Sequence, residues 1–181
     1  ASAWLRWPLL CLFTNKVIIK ILIFILIPII IFLSSLLYST FNKYIYLEFY
    51  KGNDMYYEKS NQVVNYLQDN INLDTNYFTD QGIRHMADVK SLFYLANRLL
   101  LYSYFIFFIS SVILIKKISL REYKKTIIYA LIFSCCIFVL VAIFSFFNFE
   151  YFFTKFHEII FTNNQWLFDP NDSLVKIFPP E

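Results

Sequence analysis

The chain has 181 residues, of which 59% are hydrophobic, 22% aromatic and 16% charged, with a formal net charge of +3. Soluble domains average roughly 45–50% apolar and about 25% charged residues, so this composition excludes an ordinary soluble domain. The two glycines exclude collagen-like or linker-like chains, and the basic residues do not interleave with aromatics as on a nucleic-acid surface.

Residues 1–16 begin without Met and crowd Trp4, Leu5, Trp7, Leu9, Leu10, Leu12 and Phe13 together. The segment reads as interfacial or extraneous and carries no functional weight. Val17 to Tyr38 is an apolar run broken only by Lys20. It lacks a small-residue cleavage site, so it reads as a retained spanning helix and not a signal peptide. Pro28 lies inside it, where a membrane helix tolerates a kink.

Residues 39–91 form a polar region that opens with Tyr44, Tyr46, Phe49, Tyr50, Tyr56 and Tyr57, a composition suited to a membrane-interface belt. Ser60 is expected to cap a helix carrying Val63, Val64, Leu67 and Ile71 at helical spacing. Asp74, Thr75 and Asn76 read as a turn. Thr79 is the expected N-cap of a helix that runs through His85, Asp88 and Lys90 directly into the next apolar run. On that helix His85, Asp88, Val89 and Leu92 share a face, so Asp88 is expected to hydrogen-bond the imidazole and raise its pKa.

Leu92 to Ile115 is apolar except for Arg98, and residues 127–147 carry no charge at all. A helix crosses a bilayer core of about 30 Å with roughly 20 apolar residues, and it satisfies its own backbone there. Three spanning helices, at 17–38, 92–115 and 127–147, therefore follow in a single all-α integral membrane domain over residues 17–181. Arg98 is about two turns into the second span, where it snorkels, or pairs with Glu150 or a lipid phosphate. Cys11, Cys135 and Cys136 make no metal or disulfide pattern and read as small packing residues.

The connection 116–126 carries five basic residues and one acid. Residues 39–91 hold five basic and seven acidic residues, and the tail 148–181 two and five. The positive-inside rule then places the N-terminus and 116–126 in the cytoplasm. The 39–91 and 148–181 segments lie outside, where they cap the bundle. In the tail, Thr162 to Gln165 reads as a turn, and Trp166 and Phe168 suit the interface. Asp169-Pro170 opens a short helix over Ser173 to Phe178, with Asp169 as its cap.

The chain has two histidines, His85 and His157, and this topology puts both on one face. Two histidines are too few for a closed zinc site. A haem held by two histidines or a quinone site, and a non-enzymatic assembly subunit, remain as alternatives. No G-x-S-x-G elbow, phosphate loop, H-E-x-x-H or dinucleotide fingerprint is present.

The segment Tyr77-Phe78-Thr79…His85-Met86-Ala87-Asp88-Val89-Lys90, followed by Phe156-His157-Glu158 and Trp166-Leu167-Phe168-Asp169-Pro170, resembles the Lit family. These are the lipoprotein intramolecular transacylases of low-GC Gram-positive bacteria. The resemblance implies a substrate lipoprotein with a diacylglyceryl group on its N-terminal cysteine. It implies transfer of the sn-2 acyl chain to the cysteine α-amine, giving the lyso-form, at the extracellular face of the bacterial cell membrane. Ester-to-amide transfer is downhill, so no cofactor or metal is implied. The family's catalytic histidines correspond to His85 and His157. Asp88, Arg98, Glu158, Trp166 and Asp169 are read from their positions as supporting residues. The family also implies a fourth spanning helix following Glu181.

Overall fold

A computed structural model describes residues 15–68 and 71–179. The segment 1–14, with Cys11, and any helix beyond Glu181 lie outside the described residues. In chain order the helices are α1 (Lys16–Phe41), α2 (Lys43–Phe49), α3 (Asp54–Leu67), α4 (Asp80–Lys117), α5 (Leu120–Phe147), α6 (Phe149–Ile160) and α7 (Ser173–Ile177). No strand occurs among the described residues.

Helices α1, α4 and α5 are long and apolar enough to cross a membrane. They contain the three apolar runs read from the sequence. Only 11% of the apolar stretch of α5 is buried inside the protein, so its outward Leu140, Ile143 and Phe144 need lipid to cover them. The 116–126 connection is shorter than its composition implies. Helix α5 begins at Leu120 because Ser119 caps it, accepting from the Glu122 N–H at 3.3 Å.

The chain divides into two compact units, one within residues 1–35 and 97–141, the other within 36–96 and 142–181. In the first, Ile19, Ile23 and Ile27 of α1 pack with Leu114 of α4 and Ala130 of α5. Small polar residues let the helices approach: Ser110 and Ser134 are buried, and the Ser134 hydroxyl donates to the Ala130 carbonyl at 2.7 Å. Cys135 and Cys136 are free and exposed on α5, outside this packing.

The second unit has its own core of Tyr50, Val63, Leu67, Leu73, Phe78, Met86, Leu174 and Ile177. Tyr50 is therefore a core residue and not part of an interface belt, and its hydroxyl donates to the Ile177 carbonyl. Helix α3 starts earlier than expected, because Asn53 accepts from the Tyr56 N–H at 3.2 Å. Ser60 is thus buried mid-helix and donates to the Tyr57 carbonyl at 2.8 Å, while Ile71 lies beyond the helix. The 74–76 turn is present: the Asp74 carboxylate accepts from the Asn76 N–H and from Lys59, both at 3.0 Å.

Candidate active site

The site lies wholly within the second unit, and two chain segments build it. The first is the start of α4. Thr79 caps it as the sequence implies, its hydroxyl oxygen accepting from the Gly82 N–H at 3.0 Å. The same hydroxyl donates to Asp172 at 2.8 Å. Asp172 in turn caps α7 through the Leu174 N–H at 2.8 Å. The α7 cap is thus Asp172 and not Asp169. Asp169 instead closes a local turn on the Asn171 N–H at 2.8 Å, because Pro170 and Asn171 lie outside the helix. Asp169 is exposed and does not line the site.

The second segment is α6 with the loop after it. Phe149, Phe153 and His157 recur every fourth residue, so they share one face of α6. That face and the start of α4 enclose a cavity of about 700 Å3, with α7 on a further side. Its lining includes His85, Met86, Glu150, Phe153, His157, Trp166, Phe168 and Leu174. Small-molecule sites span about 300–1,000 Å3 and are mostly apolar with a few placed polar groups. This cavity has that character.

The two imidazoles meet there. Their ring centroids are 6.1 Å apart and their planes are inclined by 32°. Aromatic rings hold both. His157 has Phe153 at 4.0 Å and Trp166 at 5.0 Å, and His85 has Phe161 at 5.1 Å and Phe168 at 5.4 Å. The His157 Nδ1 is 2.8 Å from the Phe153 carbonyl oxygen. A carbonyl only accepts, which assigns the proton to Nδ1 and leaves Nε2 as a bare acceptor.

His85 differs in its surroundings. It is 8% exposed, and its Nδ1 is buried with no hydrogen-bond partner among the described residues. A buried lone pair without a partner is tolerated better than a buried orphan N–H, which assigns the proton of neutral His85 to Nε2. His85 precedes the apolar run 92–115. Burial pushes its pKa below the ordinary histidine value, and the neighbouring His157 pushes it the same way. Asp88 opposes this but does not prevail.

The expected Asp88–His85 hydrogen bond is absent. The Asp88 carboxylate accepts instead from the Asn163 side-chain amide at 2.9 Å. The shared helix face puts the two residues on one side of α4, but the loop's amide takes the carboxylate. Glu158 pairs with Lys155 at 2.6 Å on an exposed part of α6 and does not line the cavity. Arg98 belongs to the other compact unit and is exposed. Of the supporting residues, Trp166 alone lines the cavity. The sequence reading had no place for Phe153, whose carbonyl and ring both hold His157. The available signal was the spacing of Phe149, Phe153 and His157, which marks one helical face. No group of three or more His, Cys, Asp or Glu able to hold a metal occurs among the described residues.

An all-helical membrane protein with a paired-imidazole cavity is the class that this fold and site define. The family profile described as lipoprotein intramolecular transacylase Lit matches residues 12–181, and the chain belongs to that family. The fold is that of the membrane-integral Lit of Bacillus cereus. The TM-score to it is 0.75 at 22% identity, over 91% of this chain and 81% of that one. A second structure of the same protein, carrying a histidine-to-alanine mutation, gives 0.71 at 20% identity, over 91% and 80%. An uncharacterized protein of Aquifex aeolicus is 30% identical over 102 residues, 56% of this chain. The matched stretch spans 44% of that relative's length.

Proposed function

We propose that the chain catalyses intramolecular O-to-N acyl transfer in lipoproteins, with His157 as general base and His85 as hydrogen-bond donor to the reacting oxygens. The observation that carries the reading is the complementary pair of imidazoles at 6.1 Å in one cavity. With the Nδ1 proton of His157 directed at the Phe153 carbonyl, its Nε2 is the acceptor nitrogen, and the tautomer assigned to His85 carries its proton on Nε2.

The substrate α-amine has a pKa of roughly 7.7–8.0, so at neutral pH it is mostly protonated and not nucleophilic. His157 Nε2 takes its proton. The nitrogen then attacks the carbonyl carbon of the sn-2 ester, and the His85 N–H stabilises charge developing on oxygen. The N–C bond forms and the C–O bond to glycerol breaks; of the two protons the nitrogen gives up, one passes through His157 to the glycerol oxygen and the other leaves to solvent, so the products are a neutral amide and a free hydroxyl. Donor and acceptor are parts of one molecule. Holding them aligned supplies effective concentrations on the order of 10⁵–10⁸ M, so no enzyme nucleophile is needed. The apolar cavity walls suit an acyl chain. The acid-rich segments 39–91 and 148–181 supply every residue of the site. By the positive-inside rule they face the exterior, which puts the reaction at the extracellular face.

Mass spectrometry of lipoprotein N-termini from cells expressing the protein tests the proposal. N-acylated lyso-form termini are the expected product. Their absence with correctly inserted protein overturns the reading.

A further inference from the structure

The start of α4 does more than carry His85. We propose that Gln81 is a positioning residue of the site: its side-chain amide fixes the backbone on both sides of Trp166, and through Trp166 the ring of His157. The proposal rests on the acyl-transfer reading for its catalytic consequence but not for its geometry.

Gln81 lies one helical turn before His85, on the same side of α4. Its Nε2 donates to the Gln165 carbonyl at 3.1 Å and to the Leu167 carbonyl at 2.9 Å. An amide nitrogen has two hydrogens, and here both go to the two main-chain acceptors that bracket Trp166. The indole then lies 5.0 Å from the His157 ring, inclined by 32°. Phe153 covers that ring at 4.0 Å. The bond from His157 Nδ1 to the Phe153 carbonyl exists only at one ring rotation, and the indole helps to hold that rotation. Gln81 makes no hydrogen bond to either imidazole, yet it ties the helix of one to the loop that braces the other.

Two neighbours also bind this loop. Arg84 donates to the Gln165 side chain at 3.1 Å, and Asp88 accepts from the Asn163 side chain. Both end on side chains. Gln81 alone of these three grips the main chain, so a substitution at residue 165 or 163 leaves its bonds intact.

The test compares Gln81→Leu and Gln81→Glu in the full-length protein. The Glu variant keeps the shape but turns a carboxylate toward two carbonyl oxygens. Trp4 and Trp7 are the other two of the three tryptophans. With both changed to Phe, emission reports Trp166 alone, and its maximum moves to longer wavelength when the indole leaves its aromatic neighbours and meets water. Both Gln81 variants should show that shift, and kcat should fall about 10- to 100-fold with KM little changed, the range expected for a misplacement of about 1 Å. An unshifted emission maximum and an unchanged kcat in either folded variant overturn the proposal. The emission maximum needs no substrate. It therefore decides the placement of Trp166 even if the acyl-transfer reading fails, and an unaltered protein that makes no N-acyl product overturns that reading alone.

Discussion

Replacing Gly82 by alanine probes how tightly α7 is held on the start of α4. A Cβ at Gly82 would lie 3.0 Å from Leu174 Cδ1 and 3.2 Å from Thr79 Oγ. Leu174 is 5% exposed, in the core beside Tyr50 and Ile177, so its methyl has little room to retreat. Overpacking of this kind costs about 1–3 kcal/mol. Alanine in place of glycine within a helix returns about 1 kcal/mol. The net expectation is a loss of about 1 kcal/mol, which lowers the melting temperature by roughly 2–4 °C for a chain of this size. Leu174→Ala alone should cost about 2–5 kcal/mol. In that background the added methyl finds space, and Gly82→Ala should become stabilising. Thermal unfolding of the four proteins in detergent gives the full cycle, with an expected coupling on the order of 1–3 kcal/mol. If Gly82→Ala stabilises the unaltered protein as much as it stabilises the Leu174→Ala variant, the packing argument is wrong.

Other consequences follow from the same contacts. Asp172→Ala removes the cap of α7 and the acceptor for Thr79, and should cost about 1–3 kcal/mol in unfolding measurements. Asp172→Asn keeps the capping oxygen and should restore most of that loss. His85 has a folded-state pKa below its ordinary value because it is buried. As pH falls below about 6.5, the unfolded chain takes up a proton before the folded chain does, so acidification destabilises the fold. Melting curves between pH 7.5 and roughly 5 should show this dependence, and His85→Gln should reduce it. Asp88→Ala frees the Asn163 amide, which should speed proteolysis of the 162–168 loop. Asn163→Ala should give the same result, with no further effect in the double variant.

Much of the architecture is written in lengths and polarity. Residues 17–38, 92–115 and 127–147 have one solvent in which so many apolar side chains rest, and α1, α4 and α5 follow. Thr79 was legible as a cap because an oxygen-bearing side chain precedes a helical pattern. Asn53 carries an equally good cap signal, but the aromatic residues after it resemble an interface belt and hide the true start of α3. Tyr50 shows the same ambiguity: a tyrosine suits a membrane interface or a core with one waiting carbonyl, and only the docking of α7 decides. The two histidines stood out by their rarity and shared topology. Their tautomers did not, because those depend on the Phe153 carbonyl and on a buried nitrogen that no spacing rule reports. Helical spacing offers Asp88 the nearer His85, whereas the loop at Asn163 reaches it through a contact distant in the chain.

The central claim is that the paired imidazoles serve O-to-N acyl migration, His157 by moving the proton and His85 by donating a hydrogen bond to the reacting oxygens. Mass spectrometry of a diacylglyceryl lipopeptide incubated with purified protein, His85→Ala and His157→Ala tests it most directly. The unaltered protein should yield N-acyl lyso product. His157→Ala should be slower by about 10²–10⁴-fold, the range typical of a lost general base, and His85→Ala by about 10²–10³-fold, the range for a lost hydrogen-bond donor to the oxyanion. Near-normal product formation by both variants would contradict the account.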